Sequence, residues 1–331
     1  MLINLEKQKL TIGQLKSGKI IENILTDHEI SALNLINLWF SKTDHFSVAT
    51  SGSTGQPKLV ALSKALIAYS ATTSLQFLDP ESTFKSSLLC LNPSHIGGLM
   101  VVIRSLVAHL DLTIIPPSSN LNELPQDNFD LVSMVPLQLK TLINESPSKL
   151  HRFNTILLGG GPLEHEYEVA LRSYKHLKVY HTYGMTETAS HVALKNLSQS
   201  ATVYKTLGDV QIALDKRSCL KLKGTITGRK WLQTNDVVEI IDAKSFKWLG
   251  RSDFVINTGG IKVHPEVVEA QLAQQIHLPF FIAGLPDDKF GEKVVLIIES
   301  LEDLSVDLSA LSKYEKPKQV LLLPKFHYTD S

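Results

Sequence analysis

Cysteine is nearly missing from this sequence: Cys90 and Cys219 are the only two in 331 residues. Two thiols so far apart build neither a disulfide framework nor a zinc site, so a reducing, cytoplasmic setting is expected. Long apolar runs are missing as well. The most apolar stretch, 97–110, is interrupted by Arg104 and His109, is too short to cross a bilayer, and reads as a buried helix. The first ten residues alternate apolar side chains with Glu6, Lys7 and Lys9 where a signal peptide has an apolar core, so export is not expected. Neither sign of charge is in excess, with 33 acidic residues against 33 basic, which argues against nucleic acid or a membrane as partner. Internal repeats and low-complexity segments are lacking too, and solenoids are excluded with them.

What the chain does have is a rhythm. Thr26-Asp27-His28-Glu29 reads as a capping box, and Ile30, Leu33, Ile36, Leu38, Trp39 and Phe40 behind it predict a packed helix. Short apolar runs then alternate with helical patterns. Strands are expected at 46–50, 87–91, 112–115, 131–135, 155–158 and 179–183, with helices from Ser63, through Leu106, from Pro136 and from Glu164 between them. This is an α/β pattern with a substantially parallel sheet. From Cys219 to Ile241 the pattern turns β-rich and closes a large domain. Beyond it, strands at 254–257, 280–285, 294–299 and 320–323 with a helix from near Pro265 predict a small α+β domain. The expected division is 1–250 and 251–331, joined by a hinge.

Thr50-Ser51-Gly52-Ser53-Thr54-Gly55-Gln56-Pro57-Lys58 follows the first of those strands. Four hydroxyls, two glycines and one ammonium in nine positions make a polyanion cradle. Glycines let backbone N–H groups approach phosphate oxygens, hydroxyls add donors, and Lys58 supplies a compact positive charge. It is not a Walker A loop, because Pro57 precedes the lysine and no Gly-Lys-Ser/Thr ends it. A looser Ser/Gly string would be an ordinary solvated turn.

The nine-residue string resembles the phosphate loop of the adenylate-forming superfamily, which comprises acyl-CoA synthetases, luciferases and peptide-synthetase adenylation domains. His181-Thr182-Tyr183-Gly184-Met185-Thr186-Glu187-Thr188 is similar to the second signature of that family. The resemblance implies an ATP site with Tyr183 and Gly184 at the adenine, Thr186 at the α-phosphate and Glu187 holding Mg²⁺. Thr234-Asn235-Asp236 stands where the family has Thr-Gly-Asp. Asn shares glycine's tolerance for left-handed backbone, so Asp236 is kept as the ribose ligand. The twenty residues from Gly250 to Glu269 resemble the hinge and the start of the family's C-terminal domain. By that likeness Arg251 reaches the nucleotide, Asp253 is the pivot, and Gly259-Gly260 line the approach of coenzyme A. Phe254 stands where an acidic residue is frequent. Glu266 and Glu269, just after Pro265, are read as acids that complement a helix dipole. Lys58, Thr186, Glu187 and Arg251 are the catalytic candidates.

Two glycine-bearing stretches are candidates for the acid pocket, Pro93 to Leu99 and Gly159-Gly160-Gly161-Pro162-Leu163 at a strand's end. His95 in the first resembles the family's substrate-gating histidine, although a lone histidine is more often a satisfied core or surface group. The strings Tyr183 to His191, Trp248 to Arg251, Asn257 to Lys262 and Gly284 to Asp287 resemble the compact o-succinylbenzoate–CoA ligases of menaquinone biosynthesis. The phosphate loop begins already at Thr50, so the N-terminal domain is expected to be shortened. The implied activity is an ATP-dependent acyl-CoA ligation through an acyl-adenylate, with Mg²⁺ and coenzyme A, by a monomer or homodimer. An aryl- or medium-chain acyl-CoA ligase is the alternative within enzymes, and a non-catalytic nucleotide-binding relative the alternative outside them. A dicarboxylic acid needs one cationic or hydroxyl-rich contact, for which His95, Ser190 and His191 are the candidates. In the family, a Gly-Lys follows the counterpart of Thr329-Asp330-Ser331, and its lysine bridges carboxylate and α-phosphate; Lys325 lies too early for that role. A chain ending at Ser331 is therefore expected to adenylate poorly, while still forming thioester from a supplied acyl-adenylate.

Overall fold

The computed structural model describes residues 1–17, 25–50, 58–121, 124–199, 201–302, 304 and 306–327. The chain forms two compact units, one of residues 1–163, 167–211 and 223–230, the other of 164–166, 212–222 and 231–331. Up to residue 206 the elements run β1 (Leu2–Asn4), β2 (Lys9–Thr11), α1 (Ile12–Lys16), α2 (Asp27–Phe40), β3 (His45–Thr50), β4 (Lys58–Ser63), α3 (Lys64–Leu78), β5 (Ser86–Leu89) and α4 (Ile96–Val107). They continue through β6 (Asp111–Ile114), β7 (Phe129–Met134), α5 (Pro136–Glu145), β8 (Phe153–Leu158), α6 (His165–Leu171), β9 (Lys178–Met185), β10 (Ser190–Asn196) and β11 (Tyr204–Thr206).

In the first unit these strands form one sheet in the order β11-β10-β9-β8-β7-β5-β6-β1-β2, while β3 and β4 make a separate antiparallel ribbon. Every neighbouring pair from β9 to β1 is parallel, as expected, and both flanks are antiparallel. The flanks and β4 were not legible as strands. Alternation sorts the side chains: Ile156 and Leu158 of β8 join the layer of α5 and α6 with Leu139, Leu142 and Leu171, whereas Leu157 joins Leu75 and Leu78 of α3 on the other face.

Local sequence accounts for the helix starts. Thr26 and Glu29 close the expected capping box on α2, and Glu29 also accepts the Glu6 N–H at 2.8 Å, so this buried carboxylate is fully used. Ser63 caps α3 through the Leu66 N–H. Helix α4 is the buried helix read from the sequence, with Leu99, Met100, Val102 and Ile103 inside. Gly98 lets its first turn lie against the backbone of Asn92 and Pro93, where any Cβ would collide.

Strand order decides where a ligand can sit. From β5 the chain passes through α4 to β6 on one side, and then returns to β7 on the other side of β5. The crevice outside the carboxyl ends of β5 and β7 is thus a topological switch point, the place where open α/β sheets bind ligands.

The second unit holds β12 (Gln211–Leu214), β13 (Cys219–Lys223), β14 (Leu232–Asp242), β15 (Ser245–Arg251), β16 (Ile256–Thr258), β17 (Ile261–Val263), α7 (Pro265–Leu272), β18 (Phe280–Asp287), β19 (Gly291–Glu299) and β20 (Gln319–Leu323). Strands β12 to β15 form a meander, and β17-β16-β19-β18 form a small sheet with β20 parallel to β19. Val268 and Leu272 of α7 pack on Ile282, Val294, Leu296 and Ile298 to make its core.

Candidate active site

The carboxyl ends of the parallel strands lead into His95, Gly159, Gly160, Gly161, Tyr183, Gly184, Thr186 and Glu187 among the residues expected at the site. Beyond β5, His95 is the exposed N-cap of α4 and makes no capping hydrogen bond. Beyond β8, Gly159 donates to the Met134 carbonyl at 3.1 Å and Gly160 has φ +89°, so the chain turns sharply there. Strand β9 ends in Tyr183 and Gly184, and the next residues, Thr186–Thr188, form a 3₁₀ turn that exposes the Glu187 carboxylate. Gly184 lies against the Ser190 carbonyl and the His191 Cα and has no room for a Cβ. Ala189 and Ser190 both take positive φ, so the chain doubles back into β10.

Strand β4 adjoins that 3₁₀ turn. Thr50 and Lys58 are cross-strand partners at the end of the β3–β4 ribbon. Ser51, Gly52, Ser53, Thr54 and Gly55 lie outside the described residues, as do the side chains of Thr50 and Lys58.

His191 is only 6% exposed, with Nε2 2.8 Å from Ser74 Oγ. Burial, and then the charge of Arg104, hold its pKa well below the ordinary 6.5, so the ring is neutral. It is therefore a hydrogen-bonding group and no cation. The cation on this face is Arg104 of α4, 2% exposed. Its Nη2 donates to Ser133 Oγ at 3.2 Å, and its Nε and Nη1 have no partner among the described residues. Ser133 is the next-to-last residue of β7, beside the switch point. Burial pushes the Arg104 pKa down to about 10, which still leaves it charged at neutral pH. Nothing was assigned to Arg104 from sequence beyond an interruption of an apolar stretch. A charge in the last turn of an otherwise apolar core helix was the signal.

In the second unit, Asp236 and Arg251 face each other across β14 and β15. Asp236 Oδ1 accepts the Trp248 indole N–H at 3.1 Å. Arg251 pairs with Asp253 at 2.7 Å, and its backbone N–H goes to Glu266 Oε1. Glu266 therefore reaches back to the end of β15, which the dipole reading of this acid did not foresee. Asn235 has ordinary extended backbone within β14, so its replacement of glycine needs no left-handed conformation, contrary to the sequence argument. Gly259 and Gly260, at φ +58° and +78°, are the two central residues of the turn joining β16 to β17. That is the primed turn that right-twisted hairpins favour.

Residues 46–219 match the family described as AMP-binding enzyme. The chain belongs to this family. It is an AMP-forming acid–thiol ligase with the adenylate-forming fold. It is 34% identical to an acyl-CoA synthetase (AMP-forming)/AMP-acid ligase II-like protein from Dyadobacter fermentans, with a TM-score of 0.66 over 92% of this chain and 91% of that one. It is 26% identical to the 2-succinylbenzoate–CoA ligase of Listeria monocytogenes, over all of this chain and 78% of that protein. The o-succinylbenzoate coenzyme A synthetase of Bacillus subtilis, in complex with ATP and magnesium ion, shares the fold at 22% identity, with a TM-score of 0.72 over 85% of this chain and 66% of that one. Among the described residues of this ligase, no helix is long and apolar enough to cross a membrane.

Proposed function

We propose that this ligase activates o-succinylbenzoate with ATP and transfers the acyl group to coenzyme A. The observation that carries the reading is the buried Arg104 guanidinium, which has five N–H donors and, among the described residues, makes one hydrogen bond, to Ser133. A buried cation so poorly partnered calls for an anion, and a carboxylate matches its planar fork. The acid being activated loses its own carboxylate charge in the reaction, so the anion at Arg104 is a second carboxylate. A monocarboxylic aryl or medium-chain acid has none to offer. The names of the Listeria and Bacillus relatives point to the same dicarboxylate.

In the first half-reaction a carboxylate oxygen of the substrate forms a bond to the α-phosphorus of ATP, and the bond to pyrophosphate breaks. In the second, the coenzyme A sulfur bonds to the acyl carbon and AMP leaves with the electron pair. The loop from Thr50 to Lys58, with Thr186, holds the phosphates and neutralises charge as it develops; Tyr183 and Gly184 take the adenine, and Asp236 and Arg251 the ribose and phosphate end. Glu187, exposed beside the Thr186 hydroxyl, is a hard oxygen donor of the kind Mg²⁺ takes in ones and twos, with phosphate oxygens completing the shell. When bound, Mg²⁺ withdraws charge from the leaving pyrophosphate. Asp253 serves as the pivot and Gly259-Gly260 as the thiol's approach.

ATP–pyrophosphate exchange measured with a panel of acids tests the assignment. Exchange with o-succinylbenzoate, slow in absolute rate, and none with benzoate or octanoate is expected. Exchange with benzoate alone would overturn it.

A further inference from the structure

On the α5–α6 face of the sheet lies a second polar cluster that no step above uses. His181 of β9 has both ring nitrogens engaged, Nε2 at 2.9 Å from the Gly161 carbonyl and Nδ1 at 2.8 Å from the Tyr204 hydroxyl. A carbonyl only accepts, so Nε2 carries the hydrogen. Nδ1 of the neutral ring is then a lone pair, and the Tyr204 O–H donates to it. Burial, and next the charge of Lys195, lower the His181 pKa and keep the ring neutral.

Strand register explains how Tyr204 gets there. Tyr183 is opposite Ala193, His181 is opposite Lys195, and Ala193 is opposite Thr206 two residues beyond Tyr204. Opposed residues share a face, so these side chains form one patch. The Tyr204 ring meets Tyr183 at 5.7 Å and His181 at 6.0 Å between centroids. Lys195 is 5.8 Å from the Tyr204 centroid and is held by Glu168 at 3.1 Å, which fixes the outer edge of the patch. On the other face of β9, Thr182 Oγ1 donates to the Leu158 carbonyl at 3.1 Å, and a Cβ added at Gly159 would come within 2.6 Å of that oxygen.

We infer that His181 and Tyr204 are positioning residues that hold the glycine loop 159–161 and Tyr183 as two fixed walls of one groove, so that the loop read above as lining the acid pocket faces the nucleotide as well. This rests on the ligase reading, in which Tyr183 meets the adenine. Neither residue has a nitrogen or hydroxyl hydrogen left over for the ligand; they act through what they hold. Preorganised walls lower the ordering cost of binding, so the effect belongs in nucleotide affinity.

The test uses three variants of the full chain. Glutamine places an amide N–H near the Nε2 position of histidine, and asparagine places its amide near Nδ1. His181→Asn therefore loses the Gly161 contact and is expected to raise the KM for ATP about tenfold. His181→Gln should restore it to within about threefold of the parent, and Tyr204→Phe should raise it roughly fivefold. The acid's KM should move less than the ATP KM in all three. Thermal midpoints are read alongside. Equal ATP KM values for His181→Asn and His181→Gln, or midpoints that fall while the ATP KM stays put, would leave only a structural role and overturn the inference. Direct ATP binding by calorimetry separates the two readings. A parent protein that binds ATP but supports neither exchange with any acid nor thioester formation from a supplied acyl-adenylate sinks the ligase reading, while the variants' ATP dissociation constants still test the walls; one that binds no ATP sinks both.

Discussion

Arg104 concentrates the residue-scale problem of this fold. Burying a guanidinium with most of its donors unpaired costs several kcal/mol after relaxation, and the apolar neighbours Val101, Val102 and Ile103 offset that cost without answering it. Arg104→Met keeps the volume and removes the charge, so the free protein should be as stable as the parent or more so. The same change should raise the KM for o-succinylbenzoate roughly thirtyfold or more, the cost of about 2 kcal/mol for losing one partner of a buried charge pair, while leaving the KM for ATP near its parent value. Steady-state kinetics and a melting curve on one preparation check both halves. An unchanged acid KM would remove the basis for the dicarboxylate. Asp236 shows the opposite situation. Its Oδ1 already has the Trp248 indole hydrogen, so the carboxylate is oriented before any ribose arrives.

Turns and strand ends carry the element-scale argument, because backbone conformations there admit few residues. Gly260 has φ +78°, and a Cβ added there would meet nothing within 4 Å, so the cost of replacing it is conformational alone. Gly260→Ala should destabilise the second unit by about 1–2 kcal/mol, and Gly260→Asn by less than half of that, since Asn visits left-handed backbone more readily. Denaturant midpoints of the two variants give the comparison. Gly184 differs in kind. A Cβ there meets the Ser190 carbonyl and the His191 Cα, both backbone, and neither can swing aside. Gly184→Ala should cost about 2–3 kcal/mol by overpacking and abolish exchange activity, because Thr186 and Glu187 follow on the same turn. A Gly184→Ala protein with parent activity would show that β9 and β10 can separate there freely.

For the molecule as a whole, the buried and half-buried histidines set the response to acid. His28, His181, His191 and His264 all have pKa values lowered first by burial. Unfolding returns each ring to its ordinary value near 6.5, so the unfolded chain binds more protons below that pH. Their contribution is complete above about pH 6.5 and is lost as pH falls toward the folded values. His191, buried on α3's face of the sheet, contributes a slope of up to about 1.4 kcal/mol per pH unit in that window. Asp79 and Asp209, with pKa values lowered by hydrogen bonds, lose their contribution only below about pH 4, while Glu269, raised by burial, opposes the trend. Urea midpoints should be flat above pH 7 and fall between 6.5 and 4.5, with a shallower fall in His191→Gln; a midpoint constant from pH 7 to 5 would contradict this. Amino-acid order alone determined the α/β rhythm, the helix caps and the strings that mark an ATP-using ligase, because period, turn chemistry and cap residues are local properties. Tertiary structure alone decided that Arg104 and not a histidine is the buried cation, that His191 is neutral, and that Tyr204 hydrogen-bonds His181 from two strands away. Those outcomes depend on which strand lies beside which and on how much water is excluded there, and no local pattern in the chain encodes either.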